Sequence, residues 1–486
     1  MAAKEFIIAI ELGSSKTTGI AGRKNPDGSI TVLHVVKEDS SSFIHKGVVY
    51  NVIQTVQCIT NIVSQLSDKL QAEVAQVYVG VGGQSIQSVK NTIAKDLPTD
   101  TIVTQQMVNV MMDTNRNMSY QDQVILDAAI QEYKVDNQAQ IDPVGIPCSR
   151  LEGNFLNILW RKSFYTNLNK CFDAAKVNIA EMYLDPLVLS DSVLTDAEKR
   201  SGCILVDLGA DTTTVSVYYK NILRHLAVIP LGGSSVTKDI ASLQIDEAQA
   251  EKMKLKFASA YTENNDIDDK LELPIDAERS VNSRKFIEIV EGRMQEIIKN
   301  VWYQVPKEYS DRLLGGIILT GGGANMKNID TAFRNITKMD KVRIAKFVKQ
   351  DIKADQPELL AHNGTMNTIL GLLAKGDMNC AGQDFNAPVE PQVTESSQVV
   401  VGVETTHQAT YASGTMANGV VMSEEDRIRL QKAEEEARRA AEATFQQQRP
   451  KQPTAPADTA KKKDGGFRIL GKKVKNFFQN MVKEEE

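Results

Sequence analysis

Glu11 and Asp207 stand in equivalent settings far apart in the chain. Ile7-Ile8-Ala9-Ile10-Glu11-Leu12-Gly13-Ser14-Ser15-Lys16-Thr17-Thr18 aligns without a gap on Cys203-Ile204-Leu205-Val206-Asp207-Leu208-Gly209-Ala210-Asp211-Thr212-Thr213-Thr214. A triphosphate held between two lobes needs backbone N–H groups presented by turns free of bulky side chains, and its magnesium needs hard oxygen ligands beside them. The first turn offers Gly13, Ser14 and Ser15, with Lys16 as a point charge. The second offers Gly209, Ala210 and the hydroxyls of Thr212 and Thr213. Glu11 and Asp207, at the strand ends, suit a magnesium ion held mostly through waters, because this ion dehydrates reluctantly. Further on, Gly315-Gly316-Ile317-Ile318-Leu319-Thr320-Gly321-Gly322-Gly323-Ala324 reads as a buried strand entering a turn. Gly321, Gly322 and Gly323 let the backbone approach a flat base or an α-phosphate that a side chain would obstruct.

The elements that must position these groups follow from the same pattern. Each copy is an apolar strand, an acid, Leu-Gly, a short polar turn and a second strand, which is a hairpin signature. Two copies predict two related half-molecules. The folded part is expected to run to about residue 375, where apolar runs punctuated by glycine give way to Gln, Thr, Ser and Gly. Residues 376–465 then read as a disordered linker that buries too little apolar surface to offset ordering entropy. Within it, residues 423–448 form a charged, Ala-rich helical stretch, polar nearly all round and capped by Ser423. Residues 466–483 form an amphipathic run. Phe467, Leu470, Val474, Phe477, Phe478 and Met481 recur at helical spacing, while Arg468, Lys472, Lys473 and Lys475 largely occupy other faces. The run is too short and too charged to span a bilayer, and it suits an anionic membrane surface.

Composition narrows the function classes. The net charge of −6, from 56 basic and 62 acidic residues, gives no global attraction to nucleic acid. Five scattered cysteines without a CxxC pair argue against a disulfide framework or a zinc site. The five histidines form no ligating cluster. The apolar run Phe6–Ile10 is too short for a signal peptide, and no stretch is long and apolar enough to span a bilayer. Trp160 and Trp302 read as core or interface residues, and 280–304 as one core-facing helix.

Paired strand-acid-x-Gly hairpins followed by a strand-Gly-Gly-Gly turn resemble the superfamily of sugar kinases, heat-shock chaperones and actin. That resemblance covers residues 5 to about 375 and implies an α/β two-domain fold of duplicated, ribonuclease-H-type halves flanking an ATP cleft. Within the superfamily the chain resembles the FtsA family, through His45-Lys46-Gly47-Val48-Val49-Tyr50-Asn51, Val77-Tyr78-Val79-Gly80-Val81-Gly82-Gly83 and Leu223-Arg224-His225 with Val228-Ile229-Pro230-Leu231-Gly232-Gly233. The family resemblance implies subdomain 1A at 1–84 and 164–200, with 364–375 returning to it. It implies an inserted subdomain 1C at 85–163, subdomain 2A at 201–240 and 313–363, and subdomain 2B at 241–312. It further implies ATP and Mg2+ as cofactors, at most slow ATPase activity, and actin-like self-association. Subdomain 2B would dock the C-terminal tail of the tubulin-like protein FtsZ, other division proteins would be recruited, and the chain would sit peripherally on the cytoplasmic face of the membrane at the division site. Asp185, before Pro186, resembles the acid that positions attacking water, against its reading as a helix cap. The chain departs from the family at Glu11, where Asp is usual, and at Ala210 and Asp211, where Gly is frequent. A carboxylate at Asp211 would repel phosphate unless it faces away or binds the metal. Alternatives of the same fold are a pilus-assembly actin homologue and a small-molecule kinase. A chaperone would need a β-rich domain after residue 375.

Overall fold

The computed structural model describes residues 5–384. The charged stretch 423–448 and the amphipathic run 466–483 lie outside the described residues. Two sheets carry the two hairpins. The first has six strands in the order Asn178–Leu184, Gln76–Val81, Ile7–Leu12, Lys16–Lys24, Ile30–Asp39, Ile352–Lys353. In the second, the run Val342–Ile344, Gly316–Thr320, Cys203–Leu208, Thr213–Tyr219, Ile222–Ile229 repeats the order of the first five of these strands. The senses also match. Ile7–Leu12 pairs antiparallel with Lys16–Lys24 and parallel with Gln76–Val81, just as Cys203–Leu208 pairs antiparallel with Thr213–Tyr219 and parallel with Gly316–Thr320. The expected duplication of halves is therefore present as topology.

Helices cover the sheets because their apolar residues fall on one stripe. Val52–Leu70 buries Thr55, Cys58, Ile59, Ile62 and Leu66, the i, i+3, i+4, i+7 spacing of a core-facing face, and starts where Asn51 accepts the Gln54 N–H. Asn367–Lys375 buries Ile369, Leu370, Leu372 and Leu373 and packs in the same core. The long helix expected at 280–304 runs from Ser283 to Tyr303. It starts later because Ser280–Asn282 pairs with Glu272–Pro274 as a small ribbon and Asn282 caps the helix. Trp160 is buried in the first core, and Trp302 is half-buried against the second.

The folded region extends past the expected start of the linker. Ala381–Asp384 pairs antiparallel with the strand Ala72–Val74, and Cys380 is buried and donates its N–H to Phe6 O at 2.8 Å. Tyr78 Oη accepts from the N–H groups of Asp377 and Met378 and donates to Asp377 Oδ1. Four strand residues give no readable periodicity, so composition alone placed the boundary too early.

The segment between Val81 and Lys162 carries its own small core of Val103, Met111, Val135, Cys148, Leu151 and Phe155. Its strands Gln138–Gln140, Gln123–Val135, Pro147–Arg161 and Gln87–Ile102 continue the second sheet, joined to it at the pair Gln87–Ala227. All five cysteines are buried and unbridged.

Candidate functional site

The two hairpins and the triple-glycine turn line one cavity of about 1140 Å³. Both turns close the same way, Gly13 N–H donating to Lys16 O at 3.2 Å and Gly209 N–H to Thr212 O at 2.9 Å. The second turn is fixed further by the start of the helix Gly233–Ala241, whose Gly233 and Ser234 N–H groups donate to Gly209 O and Ala210 O. The cavity wall also contains Gly233 and Ser234 of this first helical turn, whose N–H groups are engaged in holding the hairpin turn.

Glu11, Gly13, Ser14, Ser15, Lys16, Asp185, Asp207, Gly209, Ala210, Thr212, Gly321, Gly322 and Gly323 all line this cavity. Thr213 does not: it is fully buried and its Oγ1 donates to Leu231 O. The reason is the pleat, which sends successive side chains to opposite faces, so Thr212 and Thr214 face the cavity and Thr213 the core. The first hairpin obeys the same alternation, with Lys16 and Thr18 in the cavity wall and Thr17 buried. Asp211 is absent from the wall. Its Oδ2 accepts the Lys46 N–H at 3.1 Å, so the carboxylate faces away from the cavity and ties the second turn to the loop at Lys46-Gly47. On that same loop, Gly47 N–H donates to Ser14 Oγ at 2.8 Å.

Of the carboxyl groups in the cavity wall, Glu11, Asp185 and Asp207 act on one another. Burial, followed by the charge of Asp207, pushes Glu11 up to about 7. Burial raises Asp207 to about 6. Asp185 is driven well above the ordinary carboxylate range by burial and then by Glu11 and Asp207, and its Oδ1 is shielded from solvent with no hydrogen-bond partner among the described residues. It begins the helix Asp185–Val193 without capping it. Among the described residues no three His, Cys, Asp or Glu side chains come close enough to ligate one ion directly. The donor set therefore fits a hydrated cation rather than a dehydrated one, since a divalent ion held through water would relieve the mutual repulsion of the three acids.

This arrangement fixes a pH dependence. A carboxyl whose folded pKa is raised favours its neutral form, so the contribution of these groups to the stability of the ligand-free protein is full only below their ordinary values of 3.8 and 4.5 and is lost as pH rises from there through 6 to 7. A cation prefers the ionised form, so its binding runs the other way. Mg2+-dependent nucleotide affinity is expected to rise about tenfold between pH 5.5 and 7.5, by titration at fixed ionic strength. A flat profile would show that these carboxyls do not meet the cation.

Sequence reasoning missed Glu251 and Lys254 in the cavity wall. Lys254 Nζ donates to Gly233 O at 3.1 Å and to Thr237 Oγ1 at 2.9 Å, and pairs with Glu251 at 2.6 Å. Their helix, Glu247–Phe257, is so rich in charge that it reads as a solvated face, and no local signal marks these two. Met326, Lys327, Asn363 and Thr365 line the cavity as well. Gly47, Gly82 and Gly83 also line it, in segments that carried the resemblance.

Duplicated halves that face one another across one cavity, with an insertion in the first half, define an actin-like fold. The solved "PilM-PilN type IV pilus biogenesis complex" has the same fold, with a TM-score of 0.53 at 13% identity over 76% of this chain and 97% of that one. The sequence profile of "Cell division protein FtsA" matches residues 204–364, and that of "SHS2 domain inserted in FTSA" matches residues 83–159. A "Cell division protein FtsA" of Porphyromonas gingivalis is 30% identical over 339 residues, covering 67% of this chain and 70% of the relative. Those of Bacillus subtilis and Escherichia coli K12 are 27% and 26% identical, covering 78% and 80% of the relatives and 70% and 67% of this chain. The chain belongs to the FtsA family of cell division proteins.

Proposed function

We propose that this chain binds magnesium ATP between its halves, self-associates in an actin-like manner, and tethers FtsZ filaments to the cytoplasmic face of the membrane. The observation that carries the nucleotide part is the convergence of two turns closed by the same hydrogen bond and a triple-glycine turn on one cavity that also holds Glu11, Asp185 and Asp207. Gly13 to Lys16 and Gly209 to Thr212 would hold the phosphates from the two sides. Gly321 to Gly323 would lie against the base or α-phosphate. Glu11 and Asp207 would orient the waters of a magnesium ion, which supplies charge neutralisation to the phosphates when bound. Asp185 would accept a hydrogen bond from a water in the cavity, which supports at most slow hydrolysis.

Two further roles rest on family membership and on the sequence. Residues 241–312 would dock the C-terminal tail of FtsZ. Residues 466–483 would lie on anionic lipid, and no helix among the described residues is long and apolar enough to cross a membrane. Membership in the FtsA family sets aside the pilus-assembly and kinase readings. Co-sedimentation with anionic vesicles tests the adaptor role: FtsZ is expected in the pellet only when this chain and Mg·ATP are both present. FtsZ remaining in the supernatant with the chain itself bound to vesicles would overturn it.

A further inference from the structure

The insertion between Val81 and Lys162 belongs by connectivity to the first half, yet it is fastened to the second. Gln87 pairs with Ala227. Ser88 Oγ accepts the Leu226 N–H at 2.8 Å and lies 3.3 Å from Nδ1 of His225. From the strand Gln123–Val135, Gln131 Nε2 donates to Leu223 O at 2.9 Å, and Arg224 Nη1 donates back to Gln131 Oε1 at 3.2 Å. Lys90 completes the seam with an ion pair to Glu308 at 2.6 Å. Leu156, Ile158 and Trp160 of the insertion and Leu223 and Leu226 of the second half are all buried in the large apolar core that also holds the first sheet.

Both sides of this seam begin at the cavity. Gly82 and Gly83 line the cavity and lead within a few residues to Gln87. Gly83 has φ +105° and is packed against Gly47 so closely that a Cβ would strike the Gly47 carbonyl, and Gln84 N–H donates to Lys46 O. On the other side, the turn Gly209–Thr212 leads into Thr213–Tyr219, which pairs along its length with Ile222–Ile229, the strand that carries the seam. The end of that strand is tied back to the turn by Thr213 Oγ1 donating to Leu231 O. The insertion is thus clamped between two segments that each start at the cavity wall. A packed and hydrogen-bonded junction of this kind does not deform continuously; a relative movement of the halves must either carry the insertion along or break the seam.

We propose that the seam of Gln87, Ser88, Lys90 and Gln131 against Leu223–Ala227 and Glu308 makes the insertion an output arm of the cavity, reoriented when ligand draws the two halves together. The inference rests on the nucleotide reading given above. It assigns Gln131 and Lys90 a coupling role, since neither lines the cavity. The consequence is a surface far from the ligand whose presentation to other molecules depends on occupancy.

Hydrogen exchange on the full chain, with and without Mg·ATP, tests it. In the native protein, Mg·ATP is expected to slow exchange in both turns and to change exchange at residues 87–91, 124–131 and 222–228 by roughly threefold or more. In the double variant Lys90→Ala, Gln131→Ala the turns are expected to stay protected, with nucleotide affinity within about twofold of native, while the change across the seam falls below about 1.5-fold. Protection of the turns without any change at the seam in the native protein overturns this inference alone. A double variant that retains the full native response overturns it equally. Unprotected turns overturn the nucleotide reading, and this inference with it.

Discussion

Gly322→Val is expected to lose ATP affinity by about 100-fold or more, equivalent to roughly 2.7 kcal/mol, with little change in the thermal midpoint. The three glycines of the turn are alike in sequence and unlike in surroundings. Gly321 has φ +83°, and a Cβ there would fall on Asp207 Oδ1. A Cβ on Gly323 would lie 2.9 Å from Leu208 Cβ. At Gly322 the nearest atom is Thr365 Cγ2 at 3.8 Å, and both residues line the cavity. A side chain on Gly322 therefore meets almost nothing of the protein and projects where a ligand would lie, so it separates loss of binding from loss of fold. Gly209→Val is the poorer probe, because its Cβ would sit 2.9 Å from Thr212 O and disturb the turn itself. Calorimetric titration with Mg·ATP alongside a thermal melt reads both quantities. An affinity within about threefold of native would mean that the ligand does not approach this backbone.

The double replacement Phe477→Glu, Phe478→Glu is expected to release the full chain from anionic vesicles while leaving ATP affinity unchanged. The six apolar residues at helical spacing give an upper bound of roughly 9 to 18 kcal/mol for burial at about 1.5 to 3 kcal/mol each, much of it offset by ordering. Two phenylalanines carry about a third of that bound, and two added carboxylates oppose the attraction of about 1 kcal/mol per basic residue near the lipid surface. Since the net affinity is only a few kcal/mol, the variant should stay in the supernatant at physiological salt. Co-sedimentation at two salt concentrations is the measurement. Native binding should weaken as salt rises, and a variant that still pelleted like the parent would place the anchor elsewhere.

What the sequence disclosed depended on whether the signal was local. The hairpins were legible because strand, acid, Leu-Gly and turn fit within a dozen residues, and each half repeats them in register. The same local reading misplaced Thr213, since two adjacent threonines look equivalent until the pleat assigns them to opposite faces. Asp211 could be read as facing away from phosphate or as binding metal. Its partner, Lys46 N–H, is distant in sequence, and only the fold decides in favour of facing away. The contact of Ser88 with His225 spans 137 residues and leaves no periodicity behind. Glu251 and Lys254 were hidden because charge on a helix is ordinarily solvated, whereas here it turns inward to Gly233 and Thr237.

The pairing of Ala381–Asp384 with Ala72–Val74 bears on mechanics as well as on boundaries. A pull applied beyond Asp384 enters the molecule at the margin of the first half. Its first resistance is the short ladder to Ala72–Val74, backed by the bond between Cys380 O and Ala75 N–H. The next bond inward, from Cys380 N–H to Phe6 O, hands the tension to the residue immediately before the strand Ile7–Leu12. That strand ends at Glu11 and Leu12, one residue short of Gly13, so traction from the C-terminal side and ligand at the first turn act on opposite ends of the same six-residue rod.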